Sequence, residues 1–124
     1  MSTIVHFDIG TDNPQRARKF YEELFGWKIG AISGFPDYYE IETTDITGAK
    51  GVAGGLTKRN SLQQNGITNF IGVSSIDETI AKIDSLGGKV IQPKQVIPGY
   101  GYLALCVDTE KNVFGLFQED KKER

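Results

Sequence analysis

Apolar and polar residues alternate along residues 3–10, and this period of two is typical of a strand whose faces meet different surroundings. One face would carry Val5, Phe7 and Ile9, and the other His6 and Asp8. The pattern therefore predicts a half-buried first strand.

The apolar spacing then changes to three, four and seven, which is the period of an amphipathic helix. Pro14 fits the first turn, where its missing N–H costs nothing, and Asp12 or Asn13 can cap the helix. Gly26 is expected to end it. The predicted apolar stripe consists of Ala17, Phe20, Tyr21 and Leu24.

Three shorter strands follow, at residues 27–32, 38–43 and 51–57, so the first half of the chain is predicted to be β-α-β-β-β. A polar segment at 58–66 is expected to link it to the second half.

The second half repeats the first at an offset of 62 residues. Leu24, Gly26 and Ile29 recur as Leu86, Gly88 and Ile91. A strand at 67–73 precedes a helix that Ser75 would cap, with Glu78 three residues later as in a capping box. The helix stripe would be Ile76, Ile80, Ile83 and Leu86, and the remaining strands are predicted at 89–93, 102–107 and 113–118.

The predicted fold class is therefore α+β. Two tandem βαβββ modules, residues 1–57 and 66–119, are expected to form one domain. Each module alone would expose an apolar sheet face and an open edge, so we expect them to combine into a curved mixed sheet that encloses a cup, with both helices on the outer side. A concave surface of this kind is where small ligands usually bind.

Composition narrows the function classes. The net charge of −2 and the scattered basic residues argue against nucleic-acid binding. No signal peptide and no apolar run of membrane-spanning length is evident, so no membrane association is expected and a cytoplasmic location is predicted. Cys106, the single cysteine, lies in an apolar strand segment and is expected to be an inert core thiol.

The chain resembles the vicinal-oxygen-chelate superfamily of glyoxalases, bleomycin-resistance proteins and extradiol dioxygenases, and within it the small glyoxalase-like branch. The most specific match is the segment Phe20-Tyr21-Glu22-Glu23-Leu24-Phe25-Gly26-Trp27. Further matches are Val5-His6-Phe7-Asp8-Ile9, Gly51-Val52-Ala53-Gly54-Gly55-Leu56, Leu86-Gly87-Gly88, Ile97-Pro98-Gly99-Tyr100-Gly101 and Asn112-Val113-Phe114-Gly115-Leu116.

The resemblance implies a divalent metal held by one residue on the first strand and one on the last strand of each module. His6 fills the first of these positions. The other three hold Thr68, Gly55 and Gly115, which are not metal ligands. A catalytic metal site usually needs about three protein ligands. The sequence therefore does not decide whether the protein has a cofactor. A divalent metal is possible, and His6 is the one residue that matches a ligand position. A relocated site could combine His6 and Asp8 with Glu40 or Glu42, and Glu119 is a further candidate ligand.

Six residues are the candidate ligand-binding set, and His6 is also the candidate catalytic residue because it is the only histidine. They are His6, Asp8, Thr68, Phe70, Tyr102 and Phe117. The aromatic members favour an apolar or aromatic guest, while Phe35, Tyr38, Tyr39 and residues 97–101 are expected in loops near the mouth of the cup.

The leading hypothesis is a small-molecule-binding protein whose metal site is largely dismantled. One alternative is a metal-dependent glyoxalase-type or dioxygenase-type lyase, isomerase or oxidoreductase that uses a relocated site around His6. Another is sequestration of a bleomycin-type drug. A homodimer is predicted, because superfamily members of this size often dimerise and an exposed sheet edge would favour pairing.

Overall fold

The computed structural model describes residues 2–59 and 66–120. The core of the predicted linker, residues 60–65, and the charged end of the chain, residues 121–124, lie outside the described residues. The described residues form two compact units, one spanning His6–Thr68 and the other formed by the residues before His6 and after Thr68. We call these the first and second units and describe each by itself.

The element order confirms the α+β class and the repeated β-α-β-β-β pattern. The first half contains β1 (Ile4–Thr11), α1 (Pro14–Phe25), β2 (Lys28–Ile32), β3 (Phe35–Glu42) and β4 (Ala53–Lys58). The second half contains β5 (Ile67–Gly72), α2 (Ile76–Ile83), a 3-10 turn (Asp84–Leu86), β6 (Lys89–Ile97), β7 (Gly101–Val107) and β8 (Val113–Glu119). No helix among these elements combines the length and the hydropathy needed to span a bilayer.

In the first unit the strand order is β2-β3-β4-β1, with β1 parallel to β4 and the other neighbours antiparallel. Its core is formed by Ile9, Ile29, Ile41 and Leu56, one buried residue from each strand. Ala17 and Tyr21 of α1 pack against this core. The helix begins as predicted, because the Asn13 side chain accepts a hydrogen bond from the Arg16 backbone N–H, and Gly26 ends it with a left-handed φ of 70°.

Two members of the predicted stripe of α1 are exposed, and the other two, Ala17 and Tyr21, are only partly buried. Phe20 is 59% exposed and Leu24 is 58% exposed. Tyr21 makes the main contact between α1 and the sheet. Its ring stacks on Trp27 with centroids 5.0 Å apart and fills the space between helix and sheet.

In the second unit the strand order is β5-β8-β7-β6, and β5 is parallel to β8. The Ser75 hydroxyl caps α2 by accepting from the Glu78 backbone N–H. The core comprises Ile76, Ile83, Ala104, Cys106 and Leu116. Leu86 is 73% exposed, contrary to expectation, because α2 ends at Ile83 and the tighter 3-10 turn rotates Leu86 out of the helical stripe.

The loops that precede the last strand of each half share one hydrogen-bonding pattern. The Asp45 carboxylate accepts from the backbone N–H groups two and four residues ahead, and Asp108 does the same. Both loops contain a residue with positive φ at the third position after the aspartate, Gly48 at 89° and Lys111 at 68°. The repeat inferred from the sequence therefore extends to loop geometry, at an offset of 63 here (108 − 45).

Acidification is expected to weaken both loops. Hydrogen bonds from Thr47 hold the pKa of Asp45 below its usual value, and bonds from Asn112 and Glu110 lower the pKa of Asp108. A carboxyl whose folded pKa is depressed contributes stability above its unfolded pKa of about 4, and that contribution disappears as the pH falls through the folded pKa. Urea unfolding across this range should show a smaller loss of stability on acidification in the Asp45→Asn/Asp108→Asn variant than in the wild type; equal losses would contradict the assignment.

The Lys111→Gly substitution should stabilise the protein by about 1 kcal/mol, because glycine adopts a left-handed φ without the steric cost that lysine meets. Gly48→Lys is the matched reverse change and should destabilise the protein by a similar amount. Thermal unfolding of both variants checks this pair, and a shift of the same sign in both would be inconsistent with it.

Candidate functional site

The sheet of the first unit has one face that packs against α1 and an opposite face, which we call the helix-free face. The helix-free face carries the candidate polar residues. Phe7 and Ile9 of β1 pack on the α1 side, so His6 and Asp8, which alternate with them, point to the opposite face. Strand register places Asp8 and Glu40 on either side of Gly55, and Tyr38 beside Thr57. These residues consequently share one sheet face.

His6, Asp8 and Tyr38 form a hydrogen-bonded cluster on this face. The distance from His6 Nε2 is 2.9 Å both to Asp8 Oδ1 and to Tyr38 Oη. Tyr38 Oη donates to Asp8 Oδ1 over 3.0 Å. The His6 side chain is 32% exposed and that of Asp8 14%, so the cluster is only partly accessible to solvent.

The hydrogen-bond network assigns a proton to His6 Nε2. Without that proton, the lone pair of the ring nitrogen would point at a lone pair of the Asp8 carboxylate oxygen, which is repulsive. Asp8 Oδ1 then accepts two hydrogen bonds, one from the imidazole and one from the phenol. The two-residue spacing of His6 and Asp8 did not require contact, and the structure brings them together with Tyr38.

Tyr38 also explains why residue 55 is glycine. A Cβ on Gly55 would collide with the Tyr38 hydroxyl and ring. The phenol therefore occupies the space in which a side chain at residue 55 would begin. In the second unit the Phe70 ring occupies the corresponding space at Gly115.

The residues present do not fit the four-ligand metal site that the resemblance implies. His6 is one possible ligand, whereas Gly55 and Gly115 carry no side chain and have no room for one. Thr68 is buried and offers a neutral hydroxyl.

The relocated metal site that the sequence left possible is not assembled among the described residues either. Within residues 2–59 and 66–120, no three His, Cys, Asp or Glu side chains lie close enough together to hold a metal ion. Glu40 and Glu42 are exposed residues of β3 and, like Glu119 of β8, do not join His6 and Asp8 in such a group.

The aromatic candidates of the second unit divide between its two faces. Ile71 and Leu116 pack on the α2 side, so Phe70 and Phe117, one residue before and after them, lie on the helix-free face. Phe70 is almost fully buried and Phe117 is half-buried.

Tyr102 does not share that helix-free face, contrary to the sequence-based expectation. The antiparallel register pairs Tyr102 with Gln118 rather than Phe117, which turns its ring toward α2. There the ammonium group of Lys94 lies 4.5 Å from the ring centroid.

Cys106 is fully buried in the α2 core, and burial raises the pKa of its thiol. Both observations agree with the inert thiol expected from the sequence.

Sequence reasoning missed Tyr38 as a member of the site. Tyr38 and Tyr39 were assigned to the start of a strand predicted at 38–43 and also, with Phe35, to the mouth of the cup, and the structure places all three residues in β3. Two features could have pointed to Tyr38: it shares strand parity with Glu40, and Gly55 on a neighbouring strand leaves room for a large side chain.

The chain is similar to one family of known proteins. Residues 3–116 match the family model described as the Glyoxalase/Bleomycin resistance protein/Dioxygenase superfamily. A search of the curated proteins finds no significant match to the chain.

Solved structures share the fold at low sequence identity. A structure described as an NAD-dependent benzaldehyde dehydrogenase from Legionella pneumophila is 20% identical, with a TM-score of 0.64 over 93% of this chain and 98% of that one. A hypothetical protein from Bacillus halodurans C-125 is 17% identical, with a TM-score of 0.67 over 99% and 98% of the two chains. A Streptomyces coelicolor methylmalonyl-CoA epimerase in complex with 2-nitronate-propionyl-CoA is 14% identical, with a TM-score of 0.69 over 98% and 96%.

Proposed function

The chain belongs to the glyoxalase, bleomycin resistance protein and dioxygenase superfamily, and from this premise we propose that it binds a small organic molecule without the superfamily's four-ligand metal site. The ligand contacts the helix-free face of the first unit, where His6, Asp8 and Tyr38 supply the polar recognition.

One observation carries the proposal: the Tyr38 phenol fills the position from which a ligating side chain at residue 55 would extend. The same hydroxyl engages both His6 and Asp8. A hydrogen-bonded polar cluster thus stands where the resemblance places a metal ligand, which favours recognition through hydrogen bonds over recognition through a metal.

The cluster also indicates the chemistry of the ligand. Both hydrogen bonds to Asp8 use Oδ1, so Oδ2 of this carboxylate can accept a hydrogen bond from a ligand hydroxyl or amine. Thr68 is a further proposed polar contact in the first unit, and Phe70 and Phe117 are candidate apolar contacts on the second unit, considered by itself. A small organic ligand with at least one hydrogen-bond donor satisfies the polar groups of the first unit.

A compound screen on matched tyrosine variants tests the proposal. Aromatic alcohols, amines and acids would be screened by thermal shift and their affinities measured by calorimetry. Tyr38→Phe should lower the affinity of a binding compound by about tenfold or more, because the hydroxyl bonds a charged group that the ligand also contacts. Tyr39→Phe removes the adjacent hydroxyl, which bonds Gln15 on the other face of β3, and should leave the affinity unchanged.

Equal effects of the two tyrosine variants would overturn the assignment of the site, and the absence of any binding compound would overturn the proposed function.

The proposal includes the cytoplasmic homodimer predicted from the sequence, and a monomeric mass in light scattering would contradict that part.

A further inference from the structure

The helix of the first unit leaves its apolar residues uncovered. No residue of α1 is buried, although it packs on the sheet through Ala17 and Tyr21. Phe20, Leu24 and Phe25 are each exposed by more than half, at 59%, 58% and 58%. By contrast, α2 buries Ile76 and Ile83. Phe25 lies on another side of the helix, against Tyr21 and Trp27. We call the surface formed by Phe20 and Leu24, which are four residues apart on one side of the helix, the α1 apolar face.

The charged side chains of α1 are placed unfavourably with respect to its helix dipole. Arg16 lies in the first turn, and Glu22 and Glu23 lie toward the C-terminal end, so each sign sits at the end that disfavours it. The ion pairs Arg18–Glu22 and Lys19–Glu23 place the basic residue first, which is the weaker order at this spacing.

The charges of α2 follow the usual rule. Asp77 and Glu78 lie in its first turn and Lys82 in its last. The unusual order in α1 is therefore a property of that helix and not of the repeated module.

We propose that a second copy of this chain covers the α1 apolar face by packing its own α1 antiparallel across a two-fold axis. In that arrangement the acidic end of each helix meets the basic end of the other, and the two dipoles oppose each other. Arg16 and Glu23 are seven residues apart and share one side of the helix with Phe20 between them, so a two-fold axis near Phe20 pairs each Arg16 with the partner's Glu23.

A cleft beside the N-terminal half of α1 fits the same arrangement. It has a volume of about 370 Å³ and is lined by apolar residues such as Ile9, Phe20 and Tyr21 and by charged ones, Asp12, Arg16 and Arg59. Antiparallel packing carries the C-terminal half of the partner helix to this end of α1. The partner's Glu23 and Leu24 are thus the residues brought to this end of α1, where Arg16 and Phe20 line the cleft.

The inference names the surface of the proposed homodimer and rests on that part of the proposed function, but not on ligand binding. The α1 apolar face and the His6 cluster lie on opposite sides of the first unit's sheet. Failure of one proposal is therefore distinguishable from failure of the other, because the Tyr38 variants test binding and the α1 variants test association.

Sedimentation equilibrium of the full chain tests the proposal. The wild type is expected to have twice the chain mass of 13.7 kDa. Phe20→Asp and Leu24→Asp should be monomeric while keeping the wild-type circular dichroism spectrum, since both side chains are exposed in the single chain. Ile46→Asp, at a fully exposed apolar position outside α1, is the matched control and should remain dimeric.

Charge reversal gives a second test that does not depend on the apolar variants. Arg16→Glu and Glu23→Arg should each weaken dimerisation by about tenfold, and the double reversal should restore it, because the partner pair is then exchanged. A monomeric wild type would overturn both the dimer and this surface. A dimer that survives Phe20→Asp and Leu24→Asp, or that the double reversal fails to restore, would overturn the α1 packing alone.

Discussion

Gly115→Ala is expected to lower the free energy of unfolding by about 3 kcal/mol, the upper range for overpacking a closely packed core. Gly115 of β8 pairs with Phe70 of β5, and a Cβ at residue 115 would collide with the Phe70 ring. Phe70 is only 4% exposed, so its ring has little space into which it could move. Urea denaturation of the variant measures the effect.

Gly30→Ala is the control for this prediction. Gly30 lies in β2, and a Cβ there would meet no atom within 4 Å. Alanine should be neutral or slightly stabilising at that position, because it loses less chain entropy on folding than glycine. If the two variants had the same stability, the close approach of Phe70 would not be the reason for glycine at residue 115.

Gly55→Ala is expected to displace the Tyr38 hydroxyl from His6 and Asp8 and to cost about 2 kcal/mol. The cost is smaller than at Gly115 because the obstructing atoms belong to the outer end of a half-buried side chain that can swing aside. Loss of the hydrogen bond should also change the imidazole NMR signals of His6.

A double-mutant cycle isolates this contact. In a Tyr38→Ala background no ring obstructs residue 55, so Gly55→Ala should then cost little. An equal cost in both backgrounds would mean that Tyr38 and Gly55 are not coupled, and the account of the cluster would fail.

Much of the fold follows from local patterns. The period of two in β1 separates His6 and Asp8 from Phe7 and Ile9, and the structure keeps that division. The helix caps were also largely predictable: Ser75 was named for α2, and Asn13 was one of two candidates for α1. Each side chain satisfies a backbone N–H of its own first turn.

The remaining features depend on contacts between distant residues. The helical stripe identifies Phe20 as apolar, but only the stacking of Tyr21 on Trp27 determines which side chain fills the interface. Strand alternation fixes the side of Tyr102 only when the register between β7 and β8 is known, and a one-residue difference moves it to the α2 face.

The candidate site was only partly predictable for the same reason. His6 and Asp8 were found from their own strand, whereas Tyr38 is 32 residues away from His6 and reaches it through the pairing of β3 with β4. The glycines were recognised as missing ligands. The rings that fill their space come from different neighbours, Tyr38 from an antiparallel strand and Phe70 from a parallel one, so the repeat could not reveal them.

The two units therefore replace the implied last-strand ligands in chemically different ways. The first unit places a phenol hydroxyl at Gly55, which makes a polar cluster with His6 and Asp8. The second places the apolar Phe70 ring at Gly115.

Elemental metal content tests the central claim most directly. Wild type and His6→Ala would be measured as purified and after incubation with nickel, zinc, iron and manganese. We predict that neither protein holds a stoichiometric metal under any of these conditions, because Gly55 and Gly115 supply no ligand and His6 is bonded to Asp8 and Tyr38. A near-stoichiometric metal in the wild type that is lost in His6→Ala would contradict the account.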